Sequence, residues 1–127
     1  MTLNKILLVE DEADIRAVAQ LALEAIGGFT VHLCDGGRAA LAQIASFAPD
    51  LVLLDVMMPD MDGPDTLAAL RAQPAGATVP VVFMTAKVQP AEVEGYRKLG
   101  VLGVVAKPFD PMTLADTLRR LWEAGPR

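Results

Sequence analysis

The sequence of 127 residues contains few aromatic residues, one cysteine and one histidine. Because aromatic residues make up 5% and hydrophobic residues 53%, the core must be built from aliphatic side chains and methionine, which suits packed layers of helices and strands. Cys34 has no partner for an internal disulfide, and its place at the end of an apolar run favours a small buried hydrophobe over a reactive thiol. His32 lies in the same run, so a packed strand residue is a better interpretation than a catalytic base.

A basic cluster, a long apolar run and a signal peptide are also missing. The formal charge is −5 and Lys and Arg do not cluster, so we do not expect nucleic acid as a partner, since binding to phosphates needs basic side chains. No apolar run approaches the ~20 residues of a membrane span, and the first residues do not resemble a secretion signal. We therefore expect a soluble, cytoplasmic protein with no membrane partner. Its length predicts one domain over residues 1–127, with no effector domain.

The stretch from Leu51 to Pro59 is the centre of the predicted fold. Four apolar residues, 51–54, run directly into Asp55, and Pro59 follows four positions later. A run without polar alternation is typical of a buried strand in a parallel sheet that has helices on both faces. Asp55 then lies at the carboxyl edge of the sheet, where ligands bind in open α/β folds. For Asp55 alone, a loop residue that caps the next turn is the simpler interpretation; its companions at other strand ends favour a functional site.

Five apolar runs of this kind alternate with stretches of helical periodicity. The predicted strands are Lys5–Val9, Phe29–Cys34, Leu51–Leu54, Val79–Met84 and Val101–Ala106. The first helix starts at Asp14, with Ile15, Val18, Ala22 and Ile26 at helical spacing. The fourth helix is weakened by Gly95, with Val93 and Tyr96 as candidates for a half-exposed face. The alternation predicts an α/β, doubly wound, five-stranded parallel sheet with right-handed crossovers. The pattern does not fix the strand order, for which we adopt the flavodoxin-like order 2-1-3-4-5.

Chemically active side chains follow four of the five predicted strands. Glu10 and Asp11 follow the first, Asp55 ends the third, Thr85 follows the fourth and Lys107 the fifth. If the first and third strands are neighbours, ~5 Å apart, three carboxylates share one crevice. Like charges this close repel one another unless a cation intervenes. Oxygen ligands favour a hard cation such as Mg²⁺ (or Mn²⁺), which often bridges to a phosphoryl group. Asp55 is then the candidate nucleophile, since carboxylates form aspartyl phosphates.

At this level the chain resembles the receiver domain of two-component response regulators, in particular single-domain, chemotaxis-regulator-like receivers. The matching motifs are Leu-Leu-Val-Glu10-Asp11-Glu-Ala, Leu-Leu-Asp55-Val-Met-Met-Pro59-Asp-Met-Asp-Gly63, Met-Thr85-Ala86 and Lys107-Pro108-Phe109. The resemblance implies that Asp55 accepts a phosphoryl group from a histidine kinase or a phosphotransfer protein. It also implies a protein that catalyses only its own phosphorylation and dephosphorylation, and is not otherwise an enzyme.

The resemblance also assigns roles to individual residues. Glu10, Asp11, Asp55 and the backbone carbonyl of Met57 would hold Mg²⁺. Thr85, Ala86 and Lys107 would contact the phosphoryl group or belong to the switch around it, and the Lys107–Pro108 bond is a candidate for the cis form. Met57 and Lys87 would flank the path of the hydrolytic water and so set the lifetime of the phosphoryl group.

One position departs from the pattern of the family. Receivers usually have Tyr or Phe three residues before the site lysine, and here that residue is Val104. The departure bears on how a signal is passed on and leaves phosphorylation unaffected. We expect a downstream protein to bind the face formed by helix four, strand five and helix five, with apolar contacts from Tyr96, Val104 and Trp122. The chain would be a monomer or a phosphorylation-dependent dimer.

Four other interpretations fit parts of the sequence. A phosphatase of the haloacid dehalogenase type, metal-dependent with an aspartate nucleophile, needs a second Asp where this chain has Met57. A flavodoxin-type FMN module needs a phosphate-binding loop where this chain has Glu10 and Asp11, which would repel phosphate. A purely structural α/β domain would leave the coincidence of four strand ends unexplained. The same residues could also be the receiver segment of a larger hybrid kinase or a multidomain regulator.

Overall fold

A computed structural model shows the fold and describes residues 2–125. Its five strands are all parallel and form one sheet in the order β2-β1-β3-β4-β5, which confirms the order predicted from the sequence. The strands are β1 (Lys5–Val9), β2 (Thr30–Cys34), β3 (Leu51–Asp55), β4 (Val81–Thr85) and β5 (Gly103–Ala106).

Helices follow every strand. They are α1 (Ala13–Leu21), which continues as a π-helical turn over Ala22–Ile26, α2 (Gly37–Phe47), α3 (Gly63–Arg71), which leads into a 3₁₀ turn over Pro74–Gly76, α4 (Pro90–Lys98) and α5 (Leu114–Ala124). Over residues 2–125, none of these helices has the length and apolar character that a membrane span requires.

The alternation of side chains along each strand divides the core between the two faces of the sheet. On one face, Leu8, Leu53 and Met84 pack with residues of α1 and α5. On the other, Leu54 and Phe83 belong to a second cluster with residues of α2, α3 and α4. Both β3 and β4 are buried at all positions, as expected for central strands covered on both faces.

Three strands begin later than their apolar runs predict. Phe29, Val79 and Val101 are buried in the core but precede the first ladder residue of β2, β4 and β5. The carbonyl of Val79, for example, accepts a hydrogen bond from Arg71 instead of a neighbouring strand. An apolar run indicates which residues are buried. Where the chain enters the sheet, residues are already buried before they form hydrogen bonds with a neighbouring strand. The runs therefore gave the strands correctly but placed these starts too early.

The predicted stripe of the first helix is wrong at two positions. Val18 and Ile26 are exposed, with 44% and 47% of their surface accessible, whereas Ala19, Ala22 and Leu23 are buried. The small alanine side chains face the sheet, and larger apolar residues are left on the outside. Helical spacing alone does not distinguish these two faces, because both carry apolar side chains.

Candidate functional site

The ends of four strands meet at the carboxyl edge of the sheet, and their register sets the site. Val9 of β1 is opposite Leu54, so Glu10 follows at the level of Asp55. On the other side of β3, Asp55 is opposite Met84. Thr85 of β4 is opposite Ala106 of β5, and Lys107 directly follows Ala106. The predicted site residues on these strand ends therefore lie at one edge.

Three carboxylates converge there. One carboxylate oxygen from each of Glu10, Asp11 and Asp55 lies within 4.8 Å of the other two. Glu10 and Asp55 are buried, with 0% and 1% of their surface accessible. Oδ1 of Asp11 is also buried, and no hydrogen-bond partner is found for it among residues 2–125. The three oxygens are all hard donors of the kind that Mg²⁺ prefers.

The spacing of these oxygens can be compared with a magnesium site. Octahedral ligands at 2.0–2.1 Å from Mg²⁺ lie about 3 to 4 Å from one another, so the observed spacing of at most 4.8 Å needs only small side-chain movements. An unpaired buried oxygen on Asp11 costs free energy that a cation would offset. The donor set and its geometry therefore fit a divalent cation. The structure does not test the predicted contribution of the Met57 carbonyl, which stays a prediction.

Lys107 joins two of these acids. Its Nζ donates hydrogen bonds to Oε1 of Glu10 at 2.9 Å and to Oδ1 of Asp55 at 3.2 Å. Burial and the charge of Glu10 raise the pKa of Asp55 to about 7, and Lys107 only partly opposes them. Burial acts to lower the pKa of Lys107, but its bonds to Glu10 and Asp55 outweigh burial, so the net pKa is raised. Lys107 therefore stays an ammonium ion between two buried carboxylates.

Thr85 is buried at the end of β4, and its hydroxyl group has a defined acceptor role. Its Oγ1 accepts a hydrogen bond from the backbone N–H of Lys87 at 3.0 Å. The hydroxyl proton remains able to donate to another group. Ala86 and Lys87, which follow Thr85, are exposed.

The loop between β3 and α3 passes close to the end of β3. Its return is fixed by a hydrogen bond from Gly63 N–H to the carbonyl of Val56 at 2.8 Å. A Cβ atom on Gly63 would lie 2.8 Å from the Cα of Val56 and 2.9 Å from the carbonyl oxygen of Asp55, so glycine is required for this approach. Met57 lies in this loop with 62% of its surface exposed.

Sequence reasoning missed two features of the site. The first is Arg16, whose Nη1 donates to the carbonyls of Glu10 at 2.8 Å and Asp11 at 3.3 Å. The sequence feature that could have indicated this contact is an arginine that follows three consecutive acids by four residues. The second is a groove of about 470 Å³ beside Lys107, lined by Asp14, Ile15, Val18, Ala86, Lys107, Pro108 and Phe109. The Lys107–Pro108 bond at its edge is cis.

The structure also places the residues of the predicted output face. Val104 is half-buried in the core cluster that contains Phe83, and the Tyr96 ring meets Phe83 edge-on, with centroids 5.4 Å apart. Trp122, in contrast, packs against the cluster on the opposite face of the sheet and lies beside Leu3 and Arg119. Trp122 therefore packs in a different cluster from Tyr96 and Val104, and its predicted place on the output face stays a prediction.

Comparison with known protein families agrees with this arrangement. The family described as the response regulator receiver domain matches residues 6–119. Regulatory protein AtoC of Escherichia coli (strain K12) is 37% identical over 108 residues, which are 85% of this chain and 23% of that protein. Response regulator Rre1 of Synechocystis sp. is 37% identical over 117 residues, 91% of this chain and 50% of that protein. The chain thus spans about a quarter and a half of these two relatives.

Solved structures give the same result over nearly the whole chain. Chemotaxis response regulator CheY4 of Vibrio cholerae superposes with a TM-score of 0.85 and 32% identity, covering 94% of this chain and 99% of that one. The signal receiver domain of a signal transduction histidine kinase from Syntrophus aciditrophicus superposes with a TM-score of 0.80 and 30% identity. The match covers 95% of this chain and 91% of that one. Similar domains therefore occur both in a chemotaxis protein and within a kinase.

Proposed function

Because the chain belongs to the response regulator receiver domain family, we propose that Asp55 accepts a phosphoryl group from a phosphohistidine on a histidine kinase or phosphotransfer protein. The observation that carries this assignment is the position of Asp55. It ends the central strand, is buried, lies beside the carboxylates of Glu10 and Asp11, and accepts a hydrogen bond from Lys107.

The proposed reaction moves one phosphoryl group between two side chains. A carboxylate oxygen of Asp55 attacks phosphorus in line as the phosphorus–nitrogen bond of phosphohistidine breaks, and the imidazole nitrogen keeps the electron pair and takes up a proton. The products are an acyl phosphate on Asp55 and a neutral histidine. Water reverses the modification by attacking the same phosphorus, which restores the Asp55 carboxylate and releases inorganic phosphate.

The surrounding residues position and neutralise the reacting groups. Glu10, Asp11, Asp55 and the Met57 carbonyl would hold Mg²⁺, which when bound neutralises charge on the acids and on the phosphoryl oxygens. The Lys107 ammonium already lies 3.2 Å from Asp55 Oδ1 and would pair with a phosphoryl oxygen after transfer. The Thr85 hydroxyl, with a proton to donate, would bind a second phosphoryl oxygen.

The groove beside Lys107 suggests how the donor approaches. Its walls include the half-buried Ile15 and exposed Val18 of α1, and the Pro108–Phe109 turn faces them. On α1, Leu21 lies one turn beyond Val18 and exposes 66% of its surface. An apolar surface that borders the phosphorylation site suits the helical surface around a phosphohistidine. We therefore place donor docking on α1 and the loop between β5 and α5.

For output, the face formed by α4, β5 and α5 is the candidate. Helix α4 has no fully buried residue, and Tyr96 contacts the core through the Phe83 ring. Phe83 lies two residues before Thr85 on the same face of β4, so a shift of Thr85 toward a phosphoryl group would reach α4 through this contact. The partner would be a downstream protein or, in a phosphorylation-dependent dimer, a second copy of the chain.

The context of the domain is a separate matter. The 127 residues would act as a single receiver domain on their own, or as the receiver segment of a hybrid kinase or multidomain regulator. The size of the protein produced from its native locus, measured on a gel, decides between these. A phosphatase of the haloacid dehalogenase type is disfavoured because Met57 occupies the position of its second acid.

The proposal is tested by phosphorylation with acetyl phosphate, followed by intact-mass measurement. We expect one added phosphate on the wild-type chain with Mg²⁺ and none when EDTA removes the cation. Asp55→Asn should gain no phosphate, while the matched control Asp65→Asn, at an exposed position in α3, should behave as wild type. Phosphate on Asp55→Asn, or unchanged labelling in EDTA, would refute the assignment.

A further inference from the structure

The turn that carries two of the three acids has little to hold it in place. Helix α1, which follows the turn, begins after Glu12 without a side-chain cap. Within the turn, the N–H of Glu12 donates to Oε2 of Glu10 at 3.1 Å, and the N–H of Glu10 donates to the carbonyl of Cys34. These bonds fix Glu10 but leave Oδ1 of Asp11 unsupported, because this oxygen is buried without a hydrogen-bond partner among residues 2–125.

Arg16 supplies the missing support from the first turns of α1. Its Nη1 donates to the carbonyls of Glu10 at 2.8 Å and Asp11 at 3.3 Å. Over residues 2–125, no other side chain from outside the turn donates to these two carbonyls. Because no group in the described part of the chain bonds to Oδ1 of Asp11, the direction of this carboxylate depends on its backbone. Arg16 is half-buried, so its bonds are partly shielded from water and more effective than exposed ones.

We propose that Arg16 is a positioning residue for the divalent cation: it fixes the backbone of Glu10 and Asp11 so that their carboxylates converge with Asp55. The proposal deepens the function proposed above and rests on it for the cation's role in phosphorylation; in it, Arg16 acts through the backbone carbonyls and is not itself a ligand of the cation or of the phosphoryl group. Its guanidinium also carries a positive charge close to the site. Removing this charge alone would strengthen cation binding, whereas losing the support for the acids would weaken it. The direction in which the affinity changes therefore distinguishes the two roles.

The experiment measures Mg²⁺ binding to the full chain by calorimetry and compares Arg16→Gln and Arg16→Ala with Arg16→Lys. If Arg16 positions the acids, Arg16→Gln and Arg16→Ala should weaken Mg²⁺ binding about tenfold, a loss typical of residues that support metal ligands. Arg16→Lys should keep more of the Mg²⁺ affinity than these two variants, because the lysine retains a donor for the carbonyls. Gln20→Ala is the matched control on the same helix, since the amide of Gln20 donates to the exposed Glu24 and not to the turn, and the Mg²⁺ affinity of this variant should match that of wild type.

A second readout separates this proposal from the proposed function. With acetyl phosphate, the Mg²⁺ concentration for half-maximal phosphorylation of Arg16→Gln should rise about tenfold, while the rate at saturating Mg²⁺ falls much less. Unchanged or tighter Mg²⁺ binding in both Arg16→Gln and Arg16→Ala overturns the positioning role and leaves only the effect of the Arg16 charge. Should wild type bind Mg²⁺ but accept no phosphate, the proposed function fails, and calorimetry still decides the role of Arg16. If Arg16→Ala does not fold, the comparison of Arg16→Gln with Arg16→Lys decides the question.

Discussion

Replacing Asp55 with asparagine should stabilise the metal-free protein at neutral pH. Burial and the charge of Glu10 raise the pKa of Asp55 from 3.8 to about 7. In the unfolded chain the carboxyl group ionises near its ordinary pKa, so between pH 4 and pH 7 the folded state binds more protons than the unfolded state. The contribution of this carboxyl group to the free energy of unfolding is therefore largest below pH 4, and it is lost as the pH rises toward 7.

The magnitude follows from the same two pKa values. A difference of about three pH units corresponds to about 4 kcal/mol of lost stability above pH 7, which is a ceiling for what the substitution can recover. Asparagine keeps an acceptor for Lys107 but loses the ionic part of that bond, so we expect a gain of about 1 to 3 kcal/mol. In a domain of this size each kcal/mol raises the melting temperature by about 4 °C.

The assay is thermal unfolding of wild type and Asp55→Asn in EDTA from pH 4 to pH 8, with Asp65→Asn as the exposed control. The melting temperature of Asp55→Asn should exceed that of wild type by an amount that grows from pH 4 to pH 7 and then levels off. Saturating Mg²⁺ should stabilise wild type more than the variant, since it binds the folded site. A variant that is less stable at pH 8 without metal, or a difference that does not change with pH, would refute the electrostatic reasoning.

Three further predictions concern single side chains. Lys107→Ala should still accept phosphate, but its amide NMR spectrum should change little on phosphorylation, because the ammonium that pairs with the phosphoryl group is gone; a wild-type spectral change would contradict this. Met57→Asn should lose its phosphate faster than wild type, measured by mass over time, because an amide can orient water where the exposed thioether of Met57 cannot; equal decay rates would exclude the water-access explanation. Cys34 is buried, and burial followed by the charge of Asp35 raises its pKa to about 11, so a thiol reagent at pH 8 should react far more slowly in the native protein than in denaturant.

Local sequence patterns predicted the strands and the convergence of Glu10, Asp11, Asp55 and Lys107, because both depend on where each strand ends. An apolar run followed by Asp55 defines a buried strand and its edge without knowledge of the neighbours. The confirmed order of the strands then brings Glu10 and Asp11 beside Asp55. Because parallel strands all end at the same edge, Lys107 also arrives there, and its two bonds to the acids follow from that convergence.

The features that escaped prediction depend on how helices cross the sheet. Periodicity gives a helix an apolar face but does not say which residues that face contacts, so the packing of Trp122 against the cluster that contains Leu8 and Leu53 was not predicted. On α1, alanines pack against the sheet and Val18 faces outward, because the space between the helix and the sheet determines which side chains fit there. The bonds of Arg16 to two carbonyls likewise depend on how the helix leaves the turn, which no local pattern encodes.

The most direct test of the central claim locates the phosphoryl group on the chain. After phosphorylation by acetyl phosphate with Mg²⁺, reduction with borohydride converts an aspartyl phosphate to homoserine, and peptide mass spectrometry identifies the residue that changed. The proposed function predicts homoserine at Asp55 alone, and none in a sample treated with EDTA. Homoserine at Asp11, a reduced Glu10, or a modification spread over several exposed acids would contradict it.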